Sequence, residues 1–330
     1  MNKKYNVIGI GNAIVDISCL VEDKFLKEHN LTKGGMFLIN HDNIKILAGL
    51  KHQKVSSGGS VANSIATLAM LDSKTALIGK VGDDKFGNIF FDDLKNIGSH
   101  FFCKHKEKSG TTAQSFVLIT PDGERTMCTY LGLASKIETE IDENIIKDTE
   151  LLYIEGYLWD EPETIVAIRD AIMIAKDNDV KIAFSLSDAF CVERHKMDFL
   201  AATKDFNILF SNEIEMSVLV GKDFADNNYQ KVKDAISYFS PNLTIAMTVG
   251  KKGSIVFEGT KNIYNVPTAK IDKVVDTTGA GDAFAAGFLY GIDNDLGLKE
   301  AATLGNILAG GVIKQFGARI EKEKILELIK

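Results

Sequence analysis

The chain has 330 residues, with 38 Lys and Arg against 45 Asp and Glu, a net charge of −7 and no run of like charge. That length suffices for one large α/β domain, alone or with a smaller appendage, and the acidic balance argues against nucleic acid as the main partner. Its four cysteines (Cys19, Cys103, Cys128, Cys191) are far apart and form no CxxC, and its six histidines show no HExxH spacing, so reduced thiols in a cytoplasmic protein are expected and a zinc site is not.

At the amino end, MNKKYNVIGIGNAIVDI has two lysines and then a short apolar strand broken by glycines, and no 18-residue apolar run occurs later. Neither a signal peptide nor a membrane span is expected from this. Short apolar runs then alternate with amphipathic stretches: YNVIGIG, SVANSIATLAML, KTALIGKVG and KFGNIFFDDLKNIG, followed by LLYIEGY, ETIVAIRDAIMIAK, VKIAFSLS, HKMDFLAATK, NILFSN, EIEMSVLVG and LTIAMTVG. The alternation predicts a mostly parallel sheet with helices on both faces, and such sheets bind ligands beyond the carboxyl ends of their strands. Residues 15–55 and 101–135 break the pattern and read as extended, turn-punctuated β structure, the second with PDGE as its hairpin turn. These two stretches are expected to pair into a small β lid on a main domain of residues 1–14, 56–100 and 136–330.

Several segments carry candidate chemistry. In DTTGAGDAF, residues 276–284, three small residues precede Asp282 at the start of an apolar helix. A helix start without bulky side chains can aim backbone N–H groups at a phosphate, and the first aspartate after it can accept a proton from an attacking hydroxyl. A glycine turn followed by a capping aspartate would look the same. GIGNAI lacks the third glycine of a dinucleotide fingerprint and no GK is followed by Ser or Thr, so ATP would bind without a Walker loop. In SSGGSVANS, Gly58 and Gly59 permit close backbone approach and Asn63 offers an amide. Asn12 and Asp16, after the first strand, suit a vicinal diol, although both residue types are common in loops. Asn212 and Glu215 of NEIE can hold Mg²⁺ through water or simply cap a helix. Thr248, Gly250 and Gly253 of TVGKKGSIVF mark either a hairpin or a nucleotide contact.

Taken together and in this order, DTTGAGDAF, SSGGSVANS, GKVGDDKFG, NEIE and TVGKKG resemble the ribokinase-like (PfkB) family of ATP-dependent small-molecule kinases across essentially the whole chain. The resemblance implies a ribokinase-like α/β fold, with Gly279, Ala280 and Gly281 as an anion hole and Asp282 as general base. It further implies acceptor contacts from Asn12, Asp16, Gly58, Gly59 and Asn63, a lid arginine in Arg125, Mg²⁺ linked to Asn212 and Glu215, and nucleotide contacts from Thr248, Gly250, Gly253 and Asn306. A monovalent cation such as K⁺ near Asp276 and Thr278 is also implied. GNAIVDI, ILFSNEIE and SLSDAF are similar to the adenosine kinase branch, where aromatic residues set against the purine would fall at Tyr157 or Trp159, Leu158 being unable to stack. The function expected is transfer of the γ-phosphoryl group of ATP to a nucleoside hydroxyl, foremost the adenosine 5′-OH. The alternatives are a sugar kinase of ribose or fructose type and, remotely, a non-catalytic sensor. The partners expected are a small nucleoside or sugar, with no nucleic acid and no membrane, in a monomer or homodimer.

Overall fold

A computed structural model describes residues 3–103, 110–221, 232, 234 and 240–330. Its larger sheet runs, from edge to edge, β14 (Asn262–Val266), β13 (Ser254–Glu258), β12 (Thr244–Thr248), β11 (Ile208–Asn212), β10 (Lys181–Ser185), β9 (Thr149–Glu155), β1 (Tyr5–Ile10), β5 (Thr75–Ile78) and β6 (His100–Phe102). The run from β12 to β6 is parallel, while β13 and β14 add antiparallel at one edge. The chain leaves β1 towards β5 and β6, then returns to the other side of β1 through β9. This makes the junction of β1 and β9 the point where strand order reverses, a place where open α/β sheets leave a crevice for ligand.

Both faces of the sheet are covered, which explains why its central strands, such as β1, β5 and β9, are largely apolar instead of alternating. Along β1, Val7 joins one core with Leu77, Tyr153 and Phe210 under the helices Ser60–Met70, Ala280–Asp293 and Leu298–Val312. Ile8 and Ile10 point the other way, into a core with Ile154, Phe184 and Trp159 under Pro162–Asp177 and Ala189–Ala202. Trp159 is 2% exposed, with its ring set edge-on to Phe184 and Phe199. It is therefore a core residue and does not face the site, so of the two aromatic candidates for the purine only Tyr157 remains.

A second sheet has the order β3 (Met36–Leu38), β8 (Arg125–Tyr130), β7 (Ala113–Ile119), β2 (Ile14–Leu20) and β4 (His52–Gly58). β2 lies parallel to β7 and β3 parallel to β8, joining the two segments that had read as extended. The turn between β7 and β8 is the PDGE stretch, with Gly123 at φ 85°. The stretch from 15 to 55 differs from expectation by containing two helices, Asp23–Glu28 and His41–Leu47. The second is started by an Asn40 capping box closed by Asn43, and Ile44 and Leu47 give it a buried face at helical spacing. That face packs in the same core as Val15, Ile17 and Cys19 of β2, leaving Ile14 and Asp16 to line the cavity on the opposite side. β6, at the start of the 101–135 stretch, belongs to the main sheet. All four cysteines are free, and among the described residues no helix is long and apolar enough to cross a membrane.

Candidate active site

A cavity of about 610 Å³ lies between the two sheets. Of the residues singled out from sequence, Asn12, Asp16, Gly59, Asn63, Tyr157, Asn212, Glu215, Thr278, Gly279, Ala280, Gly281 and Asp282 line it. The polar end of the cavity is built by backbone geometry. Gly279 precedes the helix Ala280–Asp293 at φ 77°, and a Cβ there would come within 2.6 Å of Ala318 Cα; only glycine permits this combination of turn and close packing. Gly59 opens Ser60–Met70 at φ 99°, where a Cβ would overlap the Asn12 carbonyl oxygen.

The two helix starts face each other, and their side chains meet at Asp282. Ser60 Oγ donates to Asp282 Oδ1 at 2.7 Å, Asn63 Nδ2 donates to Oδ2 at 2.9 Å, and Ser64 Oγ donates to the Asp282 carbonyl at 2.9 Å. Burial pushes the Asp282 carboxyl up to about 6, against the opposing pull of the Asn63 and Ser60 hydrogen bonds and the Arg319 charge. Burial also raises Asp16 to about 6; Arg319 and Arg125 pull it down, and the neighbouring Asp282 pushes it up. Gly58 gives Asp16 its place, because any Cβ at that position would strike the carboxylate.

Glu155, at the end of β9, is a residue of the site's framework that the sequence alone did not single out. It is fully buried, and its carboxylate accepts from Asn12 N at 2.8 Å, Asn12 Nδ2 at 2.7 Å and Val61 N at 2.9 Å. Glu155 thereby ties the end of β1 to the start of the helix that carries Ser60 and Asn63. Burial raises it to about 7 despite the three donors. Because Asn12 Nδ2 is committed to Glu155, its Oδ1 is left buried without a protein partner. The available signal was a carboxylate closing an apolar strand, LLYIE, at the point where strand order reverses.

Asn212 and Glu215 form a reciprocal capping box at the start of Glu213–Val220: Glu215 N donates to Asn212 Oδ1 at 2.8 Å and Asn212 N donates to Glu215 Oε2 at 2.9 Å. The pair thus caps the helix and also lines the cavity. Burial pushes Glu215 up to about 8. Asp276 is surrounded by donors: Thr278 N at 3.1 Å, Thr278 Oγ1 at 2.8 Å, Gly317 N at 2.9 Å, and the Arg125 guanidinium in a buried ion pair. Arg125 also lies over the Phe316 ring, 4.8 Å from its centroid. The implied cation position thus already has a positive charge against its carboxylate.

The nucleotide candidates lie elsewhere. Thr248 ends β12, and Gly250 and Gly253 hold the turn into β13 at φ 58° and 99°. Asn306 is buried, and its Nδ2 donates to the Val266 carbonyl at 2.9 Å, joining the helix Leu298–Val312 to β14. None of these four lines the cavity around Asp282.

The remaining wall of the cavity is largely apolar. Met36, Leu38, Met127 and Leu131 contribute from the smaller sheet and its following loop, and Phe190, 72% exposed, contributes from the first turn of Ala189–Ala202. Phe190 follows Ser187, which adopts a left-handed conformation at φ 71°, and Asp188, which caps the helix through Cys191 N at 2.7 Å. A non-glycine residue held in that conformation beside a cavity is a local strain of the kind found at ligand sites. Asp160 and Arg194 close the rim with a two-pronged ion pair at 3.0 and 2.8 Å.

A ribokinase-like α/β fold, with a carboxylate behind a small-residue helix start and a second sheet across the cavity, defines a small-molecule kinase. The chain belongs to the pfkB family of carbohydrate kinases, whose model matches residues 45–325, and it is a phosphotransferase with a hydroxyl acceptor. An adenosine kinase from Sinorhizobium meliloti superposes with a TM-score of 0.88 at 36% identity, over 99% of this chain and 100% of the other. A probable sugar kinase from Rhizobium etli gives 0.88 at 34% identity, over 99% of each chain. An ATP-dependent ribose-1-phosphate kinase from Halopiger xanaduensis is 31% identical over 80% of this chain and 83% of its own.

Proposed function

We propose that the protein transfers the γ-phosphoryl group of ATP to the 5′-hydroxyl of adenosine. The observation carrying this reading is a single cavity that joins the carboxylates Asp16 and Asp282 to an apolar wall of Met36, Leu38, Met127, Leu131 and Phe190. A nucleoside needs both ends: hydrogen-bonding groups for the ribose and an apolar slot for the base. The adenosine kinase from Sinorhizobium meliloti, similar along its whole length, supports the same choice.

Asp282, ionised above about 6, takes the proton of the acceptor hydroxyl as it attacks. Asp16 accepts from a ribose hydroxyl, and Asn63 donates to one. The helix start at Gly279–Gly281 stabilises charge on the phosphoryl oxygens; a Cβ built on Gly281 meets nothing within 4 Å, which leaves open space for an anion. Mg²⁺ fits Asn212 and Glu215 only through water, because their reciprocal hydrogen bonds already engage both side chains. Bound there, it would neutralise phosphate charge. Thr248, Gly250, Gly253 and Asn306 remain the candidates for the adenine side of ATP. No monovalent cation enters this reading, since Arg125 supplies the positive charge at Asp276. The lid is the smaller sheet of β2, β3, β4, β7 and β8, drawn mainly from the stretches 15–55 and 101–135 without β6 and without 104–109, which lie outside the described residues, and its closure over the acceptor excludes water.

The test is ADP release from MgATP with adenosine, inosine, guanosine, ribose, fructose and ribose 1-phosphate. Turnover with adenosine far above the rest supports the reading. Turnover with a sugar or sugar phosphate and none with a nucleoside overturns it in favour of the second reading, which draws on the polar rim of Asp160, Asp188 and Arg194 and on the sugar kinases among the relatives.

A further inference from the structure

One buried cation has entered so far only through its charge, which pulls Asp16 and Asp282 down. Arg319 stands behind Asn63, outside the residues that line the cavity. Its Nε donates to Asn63 Oδ1 at 2.9 Å, its Nη1 donates to Ser57 Oγ at 2.7 Å, and its Nη2 is buried without a protein partner. The carboxylates facing it come from three elements: Asp16 on β2, Asp93 on Lys85–Asn96 and Asp282 on Ala280–Asp293. Asp93 is tied to the same point, because its Oδ2 accepts from Ser57 N at 2.7 Å.

The two ends of an asparagine amide are alike in shape and opposite in function. Arg319 has donors only, so it fixes which end points where. The Asn63 oxygen is held towards the guanidinium, leaving Nδ2 to face Asp282. A lysine in its place would keep the charge but lose the planar fork that spans Ser57 on β4 and Asn63 on the adjoining helix.

Arg319 is delivered by a four-residue segment, Phe316–Arg319, each member of which touches the site. Phe316 lies under Arg125, Gly317 N donates to Asp276, and Ala318 packs on Gly279 so closely that no side chain fits there. The segment thus sets the helix start at Gly279 and the Asn63 amide in register with each other.

We propose that Arg319 is a positioning residue for phosphoryl transfer, which orients the Asn63 amide so that its nitrogen is presented to Asp282 and to the acceptor hydroxyls. The proposal rests on Asp282 being the general base. Besides Arg319, the groups around Asp282 are Ser60 and Asn63 on their helix, Asp16 on β2, and Tyr153 and Glu155 on β9. Loss of the guanidinium takes from Asp282 the cation that faces it and leaves Asp16 with Arg125 and Lys54 alone, which raises both carboxyls.

The experiment uses the full chain with the best acceptor of the panel and follows kcat and kcat/KM against pH for wild type, Arg319→Met, Arg319→Lys and Asp282→Asn. The Met variant is expected to lose roughly 10- to 100-fold in kcat, the scale of a misplaced reacting group, with KM for ATP little changed and the acid limb of kcat/KM moved to higher pH. The Lys variant is expected to keep the wild-type limb while losing kcat. A folded Met variant with near wild-type kcat and an unmoved limb overturns the proposal. If the Met variant does not fold, the Lys variant decides: wild-type kcat in it overturns the proposal, and reduced kcat with a retained limb supports it. Near-normal turnover in Asp282→Asn instead overturns the base assignment itself, so the two failures are distinguishable.

Discussion

Replacing Asp282 by Asn separates a catalytic carboxylate from a structural one, because the two roles predict opposite effects on stability. The amide fits the site. Its oxygen can accept from Asn63 Nδ2, which Arg319 prevents from turning, and its NH₂ can face Ser60, whose hydroxyl accepts as readily as it donates. What is lost is charge and basicity. In wild type, burial displaces the carboxyl from 3.8 to about 6, equivalent to about 3 kcal/mol spent keeping it ionised near neutrality. The Asn variant is relieved of that cost, in which the Ser60 and Asn63 hydrogen bonds are already counted, so a net gain of roughly 1–3 kcal/mol, a rise of about 1–4 °C in Tm for a chain of 330 residues, is expected at pH 7.5. Turnover is expected to fall by roughly two to four orders of magnitude, the contribution of a general base, with acceptor affinity little changed. A coupled ADP-release assay and a thermal melt on the same preparation read both quantities. Near-normal turnover would refute the base assignment. A fall in Tm alongside the loss of turnover would refute the reasoning about burial, since lost structure would then account for lost activity.

Between pH 5 and 8, activity and stability are expected to run in opposite directions. The acid limb of kcat/KM should fall off below about 6, where Asp282 and Asp16 take up protons as a coupled pair. Asp16, Asp282, Glu155 and Glu215 all titrate above their ordinary values of 3.8 to 4.5, at about 6 to about 8. The folded chain therefore binds protons more tightly than the unfolded one. The stability they contribute is complete below the ordinary values and is lost as pH rises through the folded ones, which melts across that range will show as a falling Tm. Phe190→Ala is expected to raise KM for adenosine roughly 10- to 100-fold, the worth of one aromatic stack on a base, with kcat nearly unchanged; an unchanged KM means that Phe190 does not meet the base. Exchanging K⁺ for tetramethylammonium is expected to leave kcat within about twofold, because the Arg125 charge stands against Asp276. A large loss on exchange would restore the cation to the site.

The strand–helix alternation and the glycine-bearing helix starts were legible because each is a local signal. Three small residues before Asp282, and Gly58–Gly59 before Ser60, declare helix starts without any tertiary information. The two helices within residues 15–55 were harder to read, because each spans only about two turns and carries too few apolar positions to show a period. Tyr157 and Trp159 could not be told apart for a related reason: an aromatic residue after a strand can face the crevice or the core, and the five-residue 3₁₀ turn Gly156–Asp160 decides between them. Glu155 and Arg319 escaped because their significance is wholly tertiary. Glu155 matters through Asn12 and Val61, which lie 143 and 94 residues away, and Arg319 through Asn63, 256 residues away. No pattern within a segment foretells such pairings.

The site also shows where the fold gives up stability for function. Asp16, Asp282, Glu155 and Glu215 all lie at or beside one cavity, and burial raises every one of them. A chain selected for stability alone would replace buried carboxylates with apolar groups of similar size. Their concentration around one cavity is instead what the proposed proton-accepting and phosphate-binding site would demand. Glu155 and Arg319 carry opposite charges and act on opposite ends of two asparagines. Glu155 accepts from Asn12 Nδ2 and leaves its oxygen available, whereas Arg319 donates to Asn63 Oδ1 and leaves its nitrogen available. On the function proposed above, the acceptor would meet one fixed hydrogen-bond acceptor at Asn12 and one fixed donor at Asn63. Only a ligand offering the complementary pair satisfies both without an unpaired buried group.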